Sequence, residues 1–175
     1  DVTEIHIDNG LLKITINKSS DGWVMKSKDN YKVNEEIVRE SLIKTSQLRF
    51  LEQKTQEEFL YSRLDLHYPK DEEGNSKLIS IFKENDEKVS EFVLGKRKNK
   101  GVYLKEKDST QTWLTSGDLE ISSDEIQWLE TKIFNIDYEK IKKINLDHTD
   151  GTVVKIKKDD KNENFVIQNL PEGET

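Results

Sequence analysis

Apolar and polar residues alternate along the first 25 positions of the chain, which is the pattern of short β-strands. Aliphatic residues occupy alternate positions over 5–7 and again over 12–16, and the dipeptide Asn9-Gly10 lies between the two runs. Asn-Gly is a strong signal for a tight hairpin turn. A second turn sequence at 19–22 precedes the apolar run 23–25. The pattern therefore predicts a β-hairpin followed by a third short strand.

The apolar spacing becomes helical after residue 34. Asn34 is a suitable helix N-cap, and Glu35 and Glu36 place carboxylates in the first turn, where the helix dipole favours negative charge. Aliphatic residues follow at near-helical spacing: Ile37, Val38, Leu42, Leu48 and Leu51. We therefore predict a helix from Asn34 to Leu51 and a second, shorter helix over 56–61.

Four apolar runs with short connections occupy the middle of the chain. They are residues 78–82, 89–94, 101–104 and 110–114. The first and last connections contain the turn-forming pairs Asn85-Asp86 and Asp108-Ser109. Because such short connections join antiparallel neighbours, we predict a four-stranded antiparallel meander.

A capping-box sequence after the meander predicts a further helix. Residues 122–125 read Ser-Ser-Asp-Glu, which places a glutamate three positions after a serine. The apolar residues that follow share one helical face: Ile126, Leu129 and Ile133. Residues 137–143 read as a helical turn or a linker. Strand-like alternation resumes at Ile144.

The C-terminal strands repeat the apolar pattern of the N-terminal ones. The corresponding pairs are Ile5/Ile144, Ile7/Leu146, Leu12/Val154, Ile14/Ile156, Trp23/Phe165 and Met25/Ile167. The turns Asn9-Gly10 and Asp150-Gly151 occupy equivalent places. A repeated strand–turn–strand–turn–strand unit predicts a tandem architecture, although alternating strands also produce such matches by chance.

Together these patterns predict an α+β fold with antiparallel sheets and two or three helices packed on the sheet. The chain is expected to form a single domain or a tandem of α+β repeat units. The expected segments are 1–52 (hairpin plus helix), 53–136 (β-meander plus helix) and 137–175 (second hairpin, a truncated repeat).

The composition narrows the possible partners. Hydrophobic residues make up 33% of the 175 positions and charged residues 36%, so we expect a lean core beneath a solvated exterior. The net charge of −7 argues against a nucleic-acid partner, because contacts between basic side chains and phosphates supply much of the affinity of nucleic-acid-binding proteins.

The chain has no cysteine, which excludes disulfides, thiolate catalysis and cysteine-ligated zinc.

One dense basic cluster, Lys96-Arg97-Lys98 with Lys100, lies between Gly95 and Gly101. Such a cluster can hold an anion or an anionic membrane surface. The simpler interpretation, which we favour, is a solvated hairpin loop. Lys96, Arg97 and Lys98 are therefore weak binding candidates.

No recognisable catalytic, metal or cofactor motif is present. His6, His67 and His148 lack the spacing of a zinc-binding HExxH helix, and no GxSxG sequence marks a nucleophile elbow. The acidic loops at 147–151 and 158–164 do not follow the EF-hand pattern. We therefore predict no catalytic residues, no bound metal and no cofactor.

The three tryptophans are the remaining candidates for a binding role. Each lies beside aliphatic residues, and one large aromatic per packed element is ordinary in a protein core. We predict core positions for Trp113 and Trp128. We do not assign Trp23 to the core and count it, like the basic cluster, as a weak binding candidate.

The sequence resembles the bacterial family of domain of unknown function 4340. The resemblance is carried by Phe92-Val93-Leu94-Gly95 before the strand Gly101-Val102-Tyr103, and by the strand ending in Trp113-Leu114 before residues 119–129. Trp23 and the helix predicted from Asn34 to Leu51 match two further features of that family. The resemblance spans most of the chain in the expected order.

The resemblance implies an extracytoplasmic domain behind an N-terminal membrane anchor, in a family with some members linked to ABC-type transport or gliding motility. It supplies no catalytic residues. The chain opens without an initiator methionine or signal peptide, so we expect a fragment whose anchor lies outside it, on the periplasmic side of the inner membrane.

Two functional hypotheses follow. The first is a non-catalytic interaction or scaffold module that binds a protein partner in the cell envelope, with ABC-transporter components among the candidates. The alternative is a ligand-binding or hydrolytic domain that acts on an anionic or glycan envelope component. Its candidate residues are Trp23, Lys96, Arg97, Lys98 and His148.

Overall fold

The computed structural model describes residues 1–70, 75–132, 134–159 and 164–168. The chain divides into two compact units, Asp1–Thr131 and Lys132–Thr175, called here the first and second unit. No helix within the described residues is long and apolar enough to cross a membrane.

A nine-stranded sheet dominates the described part of the first unit. Its strands are β1 (Val2–Asp8), β2 (Lys13–Ser19), β3 (Gly22–Met25), β4 (Tyr31–Lys32), β5 (Arg49–Gln53), β6 (Lys77–Lys83), β7 (Glu87–Lys98), β8 (Gly101–Glu106) and β9 (Thr112–Ser116). They lie in the order β4-β3-β2-β1-β6-β7-β8-β9-β5, and every neighbouring pair is antiparallel. The predicted hairpin, third strand and meander are confirmed.

Local turn chemistry explains the first hairpin. Gly10 has φ +89°, a conformation that glycine adopts without strain. The Asn9 side-chain oxygen accepts hydrogen bonds from the backbone N–H groups of Leu11 and Leu12. The resulting register pairs Ile5 with Ile16 and Ile7 with Ile14, which places four aliphatic side chains on the same buried face: Ile5, Ile7, Ile14 and Ile16.

The helix α1 (Glu35–Gln47) begins where the sequence predicts. The Asn34 side chain caps it by accepting from the backbone N–H groups of Glu36 and Ile37. The prediction that the helix continues to Leu51 is wrong. Residues 49–53 form β5 instead, because the spacing of the apolar residues near the helix end is also compatible with a strand, and this segment pairs with β9.

Two helical segments cover opposite faces of the sheet. On the face we call the helix face, Val38 of α1 lies in one core cluster with Ile5, Ile79 and Phe92. On the other face, the 3-10 helix Glu58–Leu64 contributes a second core cluster. The buried members of that second cluster are Tyr61, Leu66, Leu78, Val93 and Tyr103. The fold is therefore α+β and mostly β, with its helices on both faces of the sheet.

Close approach fixes the Glu58–Leu64 segment against β7. A side chain at Gly95 would collide with the Leu64 carbonyl oxygen and the Leu66 side chain. The second predicted helix, over 56–61, is thus this 3-10 segment, shifted by two or three residues.

The helix predicted from the capping box is only a four-residue 3-10 turn, Glu125–Trp128. Asp124, rather than Ser122, supplies the N-cap by accepting from the Ile126 N–H at 3.0 Å. Ile126 is exposed, and Ile133 lies outside the described residues. The short turn serves to place Trp128 in the core, where it is 1% exposed.

The second unit contains a three-stranded antiparallel sheet, β10 (Lys143–Asp147), β11 (Val153–Lys158) and β12 (Phe165–Ile167), preceded by the 3-10 turn Tyr138–Lys140. The pairing joins Ile144 to Ile156, Leu146 to Val154 and Ile156 to Ile167. Residues 137–143, predicted as a helical turn or a linker, contain a helical turn, and the predicted C-terminal strands are present.

The strand pairing corrects one detail of the sequence alignment between β1–β3 and β10–β12. Ile14 pairs with Ile7, and Val154 pairs with Leu146, so the structural counterpart of Ile14 is Val154 and not Ile156. Ile156 corresponds to Ile16 instead. The sequence alignment requires the turn between β10 and β11 to be three residues longer than the turn between β1 and β2, whereas the paired strands leave residues 148–152 against 9–12, a difference of one.

Candidate functional site

The basic cluster predicted from sequence lies in a strand rather than in a loop. Lys96, Arg97 and Lys98 end β7, because the pairing of β7 with β8 continues to Lys98 and leaves Asn99 and Lys100 as the turn. Arg97 forms an ion pair with Glu120 at 2.9 Å and another with Asp118. Its charge is therefore already balanced within the molecule.

The other candidate residues are spread across the fold. Trp23 lies in β3 and packs, half-buried, against the main core cluster. Three strands separate β3 from β7, so Trp23 lies at least about 19 Å from the basic cluster at 4.8 Å per strand. His148 belongs to the second unit, in the turn after β10. Trp23 and the basic cluster therefore do not share one pocket.

A charged cluster lies on the sheet face opposite α1. The carboxylate of Glu91 accepts from the Ser80 hydroxyl at 2.8 Å and is paired with Lys88 at 2.9 Å and Lys107 at 2.8 Å. His6 is the cross-strand neighbour of Ser80, but it is paired with Glu4. The Ser80 hydroxyl therefore donates to a carboxylate that two lysines already pair with, which is the arrangement of a structural hydrogen bond rather than of a serine paired with a histidine base.

This cluster makes the stability of the protein dependent on pH. Burial by itself raises the pKa of Glu91, but hydrogen bonds from Lys107, Lys88 and Ser80 outweigh it and lower the pKa from 4.5 to about 2. Because the folded-state pKa is the lower one, the stabilisation is present above pH 4.5 and is lost as the pH falls towards 2.

Glu91→Gln is therefore expected to flatten the acid limb of the stability curve. Between pH 4.5 and 2, protonation of Glu91 should lower the free energy of unfolding of the wild type by up to about 3 kcal/mol. Glu91→Gln has no carboxylate at this position, so this decrease should be absent. Urea unfolding at several pH values measures the effect. Glu87→Gln, on the same strand but exposed, is the matched control and should keep the wild-type slope. Parallel curves for wild type and Glu91→Gln would contradict this account.

The two edges of the nine-stranded sheet differ in their cover. At one edge, the Lys32 carbonyl of β4 accepts from the Glu130 N–H at 2.9 Å, and Val33 forms a bridge with Leu129. At the other edge, β5 pairs with β9 and has no further strand beside it among the described residues. Edge strands of this kind present unpaired N–H and C=O groups to a potential partner.

Apolar side chains are exposed along the open edge. All five residues of β5 are exposed, with Phe50 at 50% and Leu51 at 64%. A β-bulge between Phe50 and Glu52 leaves Leu51 without a partner on β9. Bulges and charged residues protect edges from unwanted pairing. β5 therefore combines an open backbone edge with a bulge that limits nonspecific pairing.

An aromatic pair connects this edge to a groove on the helix face. Phe50 packs against Trp113 with ring centroids 4.8 Å apart. The adjacent groove has a volume of about 120 Å³ and lies between the end of α1 and strands β7–β9. Its lining residues are Thr45, Leu48, Phe50, Ser90, Phe92, Leu104, Glu106 and Thr115.

The predicted core role of Trp113 is therefore wrong, whereas that of Trp128 is confirmed. Trp113 is half-buried because the ring that it contacts on the edge strand is that of exposed Phe50, which is not a core residue. We call β5, Trp113 and the groove the edge surface. The edge surface could not be predicted from the sequence because the apolar spacing of residues 49–51 indicates the end of a helix.

The fold and this surface define a β-rich α+β protein whose nine-stranded sheet, among the described residues, has no further strand beside β5. The family model for Domain of unknown function (DUF4340) matches residues 23–175, and the chain belongs to this family. No curated protein and no solved structure matches the chain.

Proposed function

We propose that this chain is a non-catalytic interaction module that binds a protein partner through the edge surface. The observation that carries the proposal is the contrast between the two sheet edges. Residues 129–130 cover β4, whereas β5 has no strand on its outer side in the part of the chain that the structure describes, and it carries exposed Phe50 and Leu51. Aromatic residues are enriched at the centres of protein interfaces, and charged residues are depleted there.

The proposed binding mode is strand addition. An extended segment of the partner pairs with the backbone of β5, and its alternate side chains enter the groove beside Phe50 and Trp113. The groove is small, so it suits one or two aliphatic side chains. Leu48, Phe92 and Leu104 supply apolar contact, and Glu106 supplies a carboxylate at the rim that favours a basic or hydrogen-bond-donating residue next to them.

We also propose an extracytoplasmic location, with the chain tethered to the membrane and its partner in an envelope or transport complex. The family resemblance of the sequence supports this proposal. The absence of cysteine is compatible with an oxidising compartment.

Site-specific photo-crosslinking tests the proposed surface. A photoreactive residue at position 51 should give a discrete adduct with a protein of the native envelope, whereas one at position 11 should not. Leu11 is a matched control because it is an exposed leucine at the tip of the β1–β2 hairpin. Adducts of equal yield at both positions, or none at position 51, would reject the edge surface as the binding site.

We further propose that β10–β12 is a second copy of β1–β3. Both sets are antiparallel in the same strand order, and both place aliphatic residues at equivalent paired positions. The equivalent pairs of positions are Ile5/Ile16 with Ile144/Ile156, Ile7/Ile14 with Leu146/Val154, and Ile16/Met25 with Ile156/Ile167.

A further inference from the structure

A polar cavity of about 320 Å³ lies beside the 3-10 helix Glu58–Leu64, on the sheet face opposite α1. Four segments form its walls: the tip of the β1–β2 hairpin, the 3-10 helix, the connection 65–70 and the two residues before β6. Its volume lies in the range of small-molecule sites, roughly 300–1,000 Å³. The polar residues that matter below are Glu58, Asp65, Lys70 and Ser76.

Close packing fixes the walls of this cavity. A side chain at Gly10 would lie 2.1 Å from the Lys70 carbonyl oxygen, so the hairpin tip rests directly on the connection 65–70. Buried Tyr61 and Leu66 anchor the 3-10 helix and the connection in the second core cluster. The His67 ring contacts Tyr61 edge-on, with centroids 6.3 Å apart. The cavity is therefore preformed, as small-molecule sites usually are.

One polar side chain in the wall is buried without a partner. Ser76 is only 4% exposed, and within the described ranges no hydrogen bond joins its hydroxyl to another residue. Ser76 immediately precedes β6, and alternation places it on the side of Leu78, which belongs to the second core cluster. Its hydroxyl therefore lies on the side of the cavity. Since buried polar groups are normally hydrogen-bonded, a ligand in the cavity would complete this one.

The charges in the wall favour a neutral ligand. Glu58 and Asp65 carry carboxylates, whereas Lys70 carries an ammonium. An anionic ligand would be repelled by two carboxylates, and a cationic one by the ammonium. A compound with many hydroxyl groups donates to the carboxylates and accepts from the ammonium, so it meets no repulsion from either.

Tyr68 adds an aromatic surface to the cavity wall. It is 44% exposed, and the Lys107 ammonium lies 6.0 Å from its ring centroid. The face of an aromatic ring is electron-rich, so it attracts C–H groups whose electron density is drawn away by neighbouring oxygens. The C–H groups of a sugar ring are of this kind.

We propose that this cavity binds one neutral sugar unit of a glycan. The sugar hydroxyls bond to Glu58, Asp65 and Ser76, and one face of the sugar ring packs on Tyr68. The inference goes beyond the proposed function and does not depend on it, because the cavity and the edge surface share no residue.

Binding of the whole chain to a printed glycan array tests the class of ligand. The array carries oligosaccharides that are neutral, acidic through uronic acids or basic through free amino groups. Binding to neutral oligosaccharides is expected. An array without any bound glycan, or with binding confined to charged glycans, would overturn the proposal.

Isothermal titration calorimetry with the tightest-binding neutral oligosaccharide then locates the site. Asp65→Asn should weaken binding by about tenfold, because hydrogen bonds to a carboxylate become weaker bonds to an amide. Asp29→Asn is the matched control: both aspartates end a 3-10 helix with positive φ, 55° at Asp65 and 51° at Asp29, but Asp29 lies outside the cavity. Asparagine tolerates this backbone conformation, so both variants should keep the wild-type unfolding midpoint.

Two further variants keep the test decisive if Asp65→Asn does not fold. Tyr68→Ala and Ser76→Ala remove the aromatic surface and the buried hydroxyl, and each should weaken binding several-fold. Phe59→Ala removes an exposed ring of the 3-10 helix that does not line the cavity, and it should bind like the wild type. Wild-type affinity in all the folded cavity variants would show that the glycan binds elsewhere and would overturn the assignment.

Discussion

Replacing Trp128 by alanine is expected to lower the free energy of unfolding by about 3–5 kcal/mol, the usual cost of deleting a large buried aromatic side chain. The indole is 1% exposed, and its Nε1–H donates to the Ser122 carbonyl at 3.0 Å. Truncation therefore leaves both a cavity and a partly buried carbonyl that has lost its donor. A loss of this size is a large fraction of the 5–15 kcal/mol that stabilises a typical domain.

The backbone at Trp128 adds to the expected effect. Its carbonyl accepts from the Asn34 N–H at 2.8 Å, immediately before α1, and the next residue forms the bridge with Val33. Loss of the indole should therefore also loosen the start of α1 and the cover of the β4 edge.

Urea unfolding followed by far-ultraviolet circular dichroism measures the stability change. Trp128→Phe keeps most of the buried volume but not the hydrogen bond, so it should cost clearly less than Trp128→Ala. Trp113→Ala is the control for the loss of a tryptophan outside the core and should also cost less. Equal losses for Trp128→Ala and Trp113→Ala would contradict the assignment of Trp128 to the core and Trp113 to the edge surface.

The second large effect is expected on binding. Phe50→Ala should weaken the binding of the partner captured by crosslinking by at least about tenfold. Few residues dominate the binding energy of an interface, and aromatic residues are common among them. The mutation removes the ring that packs against Trp113 and borders the groove. Leu51→Lys should weaken binding further, since a lysine on an edge strand opposes pairing with another strand.

Isothermal titration calorimetry with the purified partner checks both variants. Phe59→Ala is the matched control, because Phe59 is also an exposed phenylalanine but lies on the 3-10 helix of the other sheet face. Its affinity should equal that of the wild type, and all variants should keep the wild-type unfolding midpoint within a small margin. Equal loss for Phe50→Ala and Phe59→Ala would show that the edge surface has no special role.

The sequence correctly predicts those turns, strands and helix starts that depend on residues close together in the chain. The Asn9-Gly10 turn, the alternation on both sides of it and the Asn34 cap depend on neighbouring residues, and each lies where expected. The short connections of the meander likewise define antiparallel neighbours without long-range information.

The candidate site depends on long-range pairing and is therefore absent from the local pattern. β5 joins β9, and Phe50 meets Trp113 across 63 positions of the chain. The spacing of Leu48 and Leu51 is compatible with a helix as well as with a strand. It therefore does not indicate that α1 ends before residue 49 and that a strand follows. The Glu91 cluster is hidden for the same reason, since Ser80 reaches it from β6 and Lys107 from the turn after β8.

Amide hydrogen exchange in the complex with the crosslinked partner tests the central claim most directly. Strand addition protects backbone N–H groups that face outwards from an edge strand. The account predicts that the partner slows exchange within Arg49–Gln53 and leaves Tyr31–Lys32 at the covered edge unchanged. Unchanged exchange in β5, with protection elsewhere on the first unit, would contradict the proposal that this edge is the binding surface.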